Sequence, residues 1–240
     1  KKSGADAVKF QSFTANEIAV KNFKNNKIKN KFKKFSDNLH DFYKKFELPE
    51  NFNLKLYNYC RKKNIIFMTS VFGEQSLNIS KKYSTIIKIA SFESNYFELF
   101  DKLIKLKKPL IISTGCSSEQ DILKIKNFFK EKRYTNFSIL HCGSAYPLQL
   151  NQVDLRYINN LKKIFPNNVI GYSDHTTNIS TSIAAVALGA RIIEKHFTLS
   201  KNDGAPDSFF SLEENDLKKM IVGIREVEQA LGKSKKIIHR

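Results

Sequence analysis

The sequence predicts an α/β protein, a (β/α)8 TIM barrel whose first strand is missing. Three observations support this fold class. Seven short runs have the composition of β-strands, helical patterns separate them, and most of the runs end in a polar or ionisable side chain. The chain has 240 residues, close to the roughly 250 residues of such a barrel, so we expect a single catalytic domain over residues 1–240. The runs cover residues 8–11, 65–70, 86–91, 110–113, 138–142, 169–175 and 191–196.

The polar ends of these runs predict an active site. In a (β/α)8 barrel the carboxyl ends of the strands and the loops that follow them form one pocket. The alternative is an open doubly wound sheet, which binds its ligand mainly at one switch point. Reactive side chains at nearly every strand end favour the barrel.

Two helix boundaries can be predicted from capping residues. Ser117 with Gln120 forms a candidate capping box before an apolar stripe,. Ser211 with Glu214 predicts the start of a later helix, which Gly232 would end,. We therefore expect amphipathic helices that pack against the sheet.

The composition is that of a globular protein with a large positive charge. Hydrophobic residues make up 41%, and 41 Lys+Arg against 23 Asp+Glu give a formal charge of +18. The excess is densest at residues 21–34, where Lys and Asn recur, and a solvated face explains this run better than a nucleic-acid surface. We therefore expect no nucleic-acid partner, although a positive field would attract an anionic small substrate.

No segment has the features of a membrane span or a signal peptide, so we expect a cytoplasmic protein with no membrane partner. The three cysteines, Cys60, Cys116 and Cys142, are far apart in the sequence and form no CxxC motif. They are expected to be reduced and mostly buried.

Two histidines end consecutive strands. His175 and His196 are each close in sequence to a carboxylate, Asp174 and Glu194. A single histidine at a strand end is more often a hydrogen-bonded structural residue, but two on consecutive strands favour a divalent metal site. Imidazole, carboxylate and water ligands suit Mn²⁺, Fe²⁺, Co²⁺ or Zn²⁺.

Two lysines at strand ends indicate an anionic ligand. Lys9 and Lys88 have apolar neighbours, where an ammonium group needs a partner,. Hydroxyl donors near the same rim would orient a phosphate or carboxylate; they are Ser70, Ser91, Ser113, Ser144 and Ser173. The alternatives are a lysine paired with an internal carboxylate and a Schiff-base lysine. Asp207 lies in a polar loop, where it could hold sugar hydroxyls, and His141 is expected to be buried and hydrogen-bonded.

Several of these residues fall in ordered motifs that resemble the sialic acid synthase family. The motifs are at residues 4–11, 87–91, 112–115, 141–147, 171–176, 194–198 and 204–207. The most specific are Ser-Asp-His-Thr at 173–176 and Glu-Lys-His-Phe-Thr at 194–198. Members of this family condense phosphoenolpyruvate with an N-acetylated aminohexose to give N-acetylneuraminate, legionaminate or pseudaminate. The resemblance thus implies a role in carbohydrate biosynthesis, for cell-surface polysaccharides.

The resemblance implies a role for each matching residue. His175 and His196 would bind the metal, for which Mn²⁺ is expected and Mg²⁺ or Co²⁺ are alternatives. Glu194, Lys88 and Lys9 would be catalytic. The remaining substrate contacts would be made by Gln11, Ser70, Ser91, Glu93, Ser113, Ser144, Tyr146, Ser173 and Asp207. Ser144 stands where several relatives have Asn.

The resemblance also implies that the family's first strand and its C-terminal antifreeze-like domain are absent from this chain. The full-length form is expected to be a homodimer, and a chain extended at both ends is expected to be more stable and more active. Two other functions stay open. One is another phosphoenolpyruvate-dependent keto-deoxy sugar acid synthase, and the other is a non-catalytic basic binding protein.

Overall fold

The computed structural model describes residues 1–21 and 36–232. The lysine- and asparagine-rich run at 21–34 lies, apart from Lys21, outside the described residues. The solvated face expected there stays a prediction.

The described residues contain seven strands. They are β1 (Ala7–Gln11), β2 (Ile66–Val71), β3 (Ile87–Ile89), β4 (Leu110–Ser113), β5 (Phe137–Cys142), β6 (Val169–Asp174) and β7 (Ile193–Lys195). Their order in the sheet is the order in the chain, β1 to β7. The pairs within β1–β4 and within β5–β7 are parallel. The predicted seven strands are thus confirmed; β4 has the predicted bounds, and the ends of the other strands differ by at most two residues.

The strand order identifies the fold class. A doubly wound sheet reverses its strand order at a switch point, whereas a (β/α) barrel adds each strand beside the previous one. The described strands show no reversal. The sequential order is that of a (β/α)8 barrel without one strand, as the sequence predicts.

Nine α-helices lie in the described ranges. They are α1 (Ala15–Ile18), α2 (Leu39–Lys45), α3 (Glu50–Lys62), α4 (Glu74–Tyr83), α5 (Phe97–Ile104), α6 (Glu119–Glu131), α7 (Tyr157–Ile164), α8 (Ser180–Ala187) and α9 (Glu214–Ala230). None of the helices in the described part of the chain is both long enough and apolar enough to cross a membrane.

The start of α6 differs from the prediction by one residue. Ser117 N donates to Thr114 O at 3.1 Å and closes a turn. The cap is therefore Ser118, whose Oγ accepts a hydrogen bond from Asp121 N at 3.2 Å while Asp121 Oδ2 accepts from Ser118 N at 3.1 Å. The predicted Ser117–Gln120 capping box is wrong, because Ser117 N already donates to Thr114 O in the preceding turn and the helix begins one residue later.

The start of α9 also differs, whereas its end is as predicted. Glu213 is the N-cap residue of α9, and Ser211 Oγ donates to Asp207 O at 2.7 Å. The predicted Ser211–Glu214 capping box is therefore wrong. Gly232 follows the helix with φ +58°, the left-handed conformation that commonly ends a helix,.

The chain forms two compact units. The first comprises Ala5–Ile112 and Phe128–Phe137 together with Lys1, and the second comprises Lys2–Gly4, Ser113–Asn127 and Ser138–Arg240. The core of the first includes Phe129, whose ring stacks on Phe137 with 4.2 Å between centroids. In the second, α8 and α9 pack through Val186, Leu212, Met220 and Ile224. A single domain over 1–240 stays a prediction.

Candidate active site

The first unit carries a row of polar side chains on one face of its sheet. Gln11 is in register with Ser70, and Ser70 is in register with Lys88. Partners in register on parallel strands point to the same face, and so does Lys9, two residues before Gln11. The structure thus brings together four of the predicted substrate contacts.

Lys88 is the central charge of this row. It is only 1% exposed and is among the largest fully buried side chains of the described residues. Its Nζ donates to Ile89 O at 2.9 Å. Ser70 is buried, Lys9 is half-buried and Gln11 is exposed. The row therefore runs from solvent into the interior and reaches a buried ammonium group.

Ser91 and Glu93 lie in a short 3₁₀ turn directly after β3. Glu93 Oε2 is enclosed and has no hydrogen-bond partner among the described residues. Burial raises the pKa of Glu93 to about 7, although the Lys88 ammonium acts to lower it. Near neutral pH this carboxyl group can therefore either donate or accept a proton.

The second unit brings His175 and His196 together. Their ring centroids are 5.5 Å apart and their planes make an angle of 68°. The Tyr146 ring packs on His175 at 4.1 Å, and the Phe210 ring packs on His196 at 5.0 Å. Burial raises the pKa of Tyr146, and the nearby Cys142 and Asp207 raise it further. The two imidazoles are thus held in an aromatic pocket.

Both imidazoles have an acceptor beside Nδ1. His175 Nδ1 is 2.7 Å from Gly143 O, and His196 Nδ1 is 3.6 Å from Asp207 Oδ2. A proton on Nδ1 places the lone pair on Nε2, which is the usual arrangement for a histidine that binds a metal. Asp207, predicted to contact the sugar, lies next to a histidine of the pair.

The separation of the two imidazole rings is compatible with one shared divalent metal. A metal–nitrogen bond of about 2.1 Å puts each ring centroid roughly 3.2 Å from the ion, so two ligands at tetrahedral angles would have centroids about 5 Å apart. The observed 5.5 Å agrees. No group of three or more His, Cys, Asp and Glu side chains suited to a metal occurs in the described ranges. The protein would thus supply two imidazoles and leave other positions to water or substrate.

Glu194 and Ser173 lie opposite each other on β7 and β6. They are partners in register, and Ser173 Oγ donates to Glu194 Oε1 at 2.8 Å. Ser113 is buried at the end of β4, whereas Ser144 is exposed in the loop after β5. His141 Nε2 lies 2.7 Å from Val153 O, and burial lowers the pKa of this half-buried ring. The hydrogen-bonded role predicted for His141 is confirmed.

Asp174 is directed away from the row that contains Ser173. Successive residues of a strand point to opposite faces, and its carboxylate contacts Lys195 Nζ at 3.0 Å,. The carboxylate of Asp174 is thus paired with Lys195 and is not directed toward the row of Ser173 and Glu194. The sequence analysis does not single out Lys195. Its position between Glu194 and His196 nevertheless indicates that its side chain lies on the face of the sheet opposite to theirs, because side chains alternate along a strand.

Parallel strands in chain order, with imidazoles, lysines and serines at or near their carboxyl ends, define a protein of the (β/α)-barrel class. The chain belongs to the NeuB family, which it matches over residues 1–236. The resemblance to sialic acid synthases is thereby confirmed.

Known relatives agree with this assignment. The chain is 35% identical over 236 residues to pseudaminic acid synthase of Campylobacter jejuni, and 37% identical over 233 residues to N,N'-diacetyllegionaminic acid synthase of the same species. These alignments cover 98% and 96% of this chain but 68% and 70% of the relatives, so the chain spans about two thirds of their length.

A solved structure is also similar. N-acetylneuraminic acid (sialic acid) synthetase from Leptospira borgpetersenii superposes with a TM-score of 0.87 at 30% identity. The match covers 99% of this chain and 78% of that one. The similarity therefore extends over the whole described fold.

Proposed function

We propose that the protein condenses phosphoenolpyruvate with an N-acetylated aminohexose of the N-acetylmannosamine type. The products are a nine-carbon 2-keto-3-deoxy sugar acid and phosphate. The observation that carries this proposal is the His175–His196 pair, in which each Nδ1 faces an acceptor. Membership of the NeuB family, with synthases of three such acids among its similar proteins, supports it.

We propose that His175 and His196 hold one divalent cation, Mn²⁺ in the first place. Bound there, the ion would act as a Lewis acid that stabilises negative charge on the aldehyde oxygen of the sugar. Asp207 and Gly143 would keep the imidazoles in the required tautomer. The aromatic rings of Tyr146 and Phe210 would limit the access of water.

We propose that the lysines and serines bind phosphoenolpyruvate. Lys88 and Lys9 would balance its charges, and a buried ammonium such as that of Lys88 interacts strongly with an anion because the local dielectric constant is low,. Hydroxyl donors would fix its orientation; the candidates are Ser70, Ser91, Ser113, Ser144 and Ser173. Gln11, Glu93, Tyr146 and Asp207 would contact the sugar.

The reaction balances without a redox partner. The enol carbon of phosphoenolpyruvate forms a bond to the aldehyde carbon, and the aldehyde oxygen takes a proton, for which Glu194 is the proposed donor. Water then adds to the cationic carbon that carries the phosphate, and one of its protons restores Glu194. The carbon–oxygen bond to phosphate breaks to leave the ketone, and the second proton of the water leaves with the phosphate. The homodimer and the cytoplasmic location stay predictions.

Phosphate release tests the proposal directly. The full chain is incubated with Mn²⁺, phosphoenolpyruvate and, in turn, N-acetylmannosamine and related N-acetylated hexoses. We expect release that requires both the sugar and the metal. His175→Ala should abolish it, whereas His141→Gln, a change outside the pair, should preserve it. Release from phosphoenolpyruvate with no sugar, or undiminished release by His175→Ala, would contradict the proposal.

The lysine assignment has its own test. Lys88→Met keeps the length of the side chain and removes the charge, so the dissociation constant for phosphoenolpyruvate should rise at least tenfold in calorimetry. Lys102→Met changes an exposed lysine on α5 of the same unit and should have no effect. Equal affinities of Lys88→Met and the unaltered protein would show that Lys88 has another role.

A further inference from the structure

A buried ion pair joins the ends of β6 and β7. Asp174 and Lys195 are partners in register, and Lys195 Nζ lies 3.0 Å from Asp174 Oδ2. Their side chains are 0% and 2% exposed. The charges are thus shielded from water, and their attraction is little weakened by solvent.

Other polar groups complete the surroundings of Asp174. Oδ2 accepts hydrogen bonds from Thr181 Oγ1 at 2.8 Å and Ser182 Oγ at 2.6 Å, both in the first turn of α8. Oδ1 accepts from Thr176 N at 2.8 Å and from Tyr172 OH at 3.3 Å. The carboxylate therefore fixes the end of β6, the start of α8 and the loop between them.

Lys195 fixes the same loop from the other strand. Its Nζ donates to Thr176 O at 2.6 Å and to Asn178 O at 3.0 Å. The loop at 176–178 begins directly after His175, and Lys195 directly precedes His196. The ion pair thus connects the two backbone segments that carry His175 and His196.

We propose that Asp174 and Lys195 are positioning residues that set the separation and orientation of His175 and His196. The inference rests on the proposed metal site and extends it. Their in-register neighbours Ser173 and Glu194 lie on the opposite face of the sheet, so the pair acts through the backbone and does not touch the substrate,.

The chemistry of the pair supports positioning over simple stabilisation. A buried ion pair contributes little net stability compared with apolar residues of the same volume, because desolvation offsets the attraction. Its hydrogen bonds, in contrast, are directional and define one arrangement of the strand ends. Groups that orient metal ligands in this way commonly change metal affinity by about 10- to 100-fold when they are replaced.

The test removes both charges and keeps the shapes. In Asp174→Asn/Lys195→Met we expect the dissociation constant for Mn²⁺, measured by calorimetry on the full chain without substrates, to rise about 10- to 100-fold. The visible spectrum of the Co²⁺-loaded protein should also change, because it reports the arrangement of the ligands. Glu74→Gln/Lys102→Met removes an exposed ion pair of 2.6 Å and should leave both measurements unchanged.

The outcomes distinguish this inference from the proposed function. If the unaltered protein binds Mn²⁺ and the folded double variant binds it within twofold, with the same Co²⁺ spectrum, the inference is wrong and the metal site stands. If the unaltered protein binds no Mn²⁺, the metal site and the inference fail together. Near-ultraviolet circular dichroism without metal establishes that the variant is folded.

If the double variant does not fold, a milder variant tests the inference instead. Ser182→Ala removes one hydrogen bond to Asp174 and should raise the Mn²⁺ dissociation constant at least threefold. Ser180→Ala changes an exposed serine of the same helix that does not contact the pair and serves as the matched control. Equal Mn²⁺ affinities in these two variants would overturn the inference.

Discussion

Replacing Glu93 by Gln should make the stability of the protein less dependent on pH. Burial raises the pKa of Glu93 from its ordinary value of 4.5 to about 7, against the opposing effect of Lys88. Between these two pH values the folded protein holds a proton that the unfolded chain has released. The free energy of unfolding must therefore fall as the pH rises through this range.

The size of the effect follows from the two pKa values. At about 1.4 kcal/mol for each pKa unit, the difference corresponds to about 3 kcal/mol. The stabilisation is complete below pH 4.5 and is lost as the pH passes 7. A chain of this size shifts its thermal midpoint by about 2–4 °C for each kcal/mol. The thermal midpoint of Glu93→Gln minus that of the unaltered protein should thus be roughly 6–12 °C larger at high pH than at low pH.

Thermal midpoints at pH 5.0 and 8.5, without ligands, test this expectation. Comparing the two pH values isolates ionisation, because any packing effect of the amide is present at both. Glu98→Gln, an exposed change on α5, is the matched control and should follow the unaltered protein. A difference between Glu93→Gln and the unaltered protein that is the same at both pH values would refute the reasoning.

Two further predictions concern packing. Phe129→Ala should lower the free energy of unfolding by about 3–5 kcal/mol in denaturant titrations, because the ring is buried and stacks on Phe137,. Leu123→Ala, on the exposed side of α6, is the control and should have a small effect. Gly171→Ala should lower the thermal midpoint and weaken Mn²⁺ binding, because an added Cβ would overlap a backbone carbonyl just before β7,. Gly223→Ala meets only a movable side-chain tip, so its effect should be smaller, and equal effects of the two glycine changes would contradict this explanation.

Local patterns were sufficient to predict the strands and to indicate which polar side chains lie at or near their carboxyl ends. Apolar runs with polar ends indicate strand positions, and parallel strands place those ends at the same edge. The helix caps were harder, because Ser117 and Ser118 each have a suitable partner three residues later. The turn that uses Ser117 N decides between them, and that turn depends on how β4 ends.

The direction of Asp174 could not be predicted for a different reason. Strands buried on both faces do not show the alternation of polar and apolar residues that identifies the solvent-facing side. Ser173, Asp174 and His175 are all buried and all polar. The partners of each side chain, Glu194 for Ser173 and Lys195 for Asp174, show which face it occupies.

The alternation along β7 also protects the site against errors of strand pairing. Glu194 and Lys195 point to opposite faces, so a shift of one residue would exchange a carboxylate for an ammonium opposite Ser173,. The same shift would place Glu194 opposite Tyr172, on the face that contains Asp174, and would remove the Lys195 ammonium from that face. The buried Asp174 carboxylate would then lose its counter-charge, so the shifted pairing would be less stable than the native one,. A strand of only three residues, Ile193–Lys195, thus specifies its own alignment through the signs of its charges.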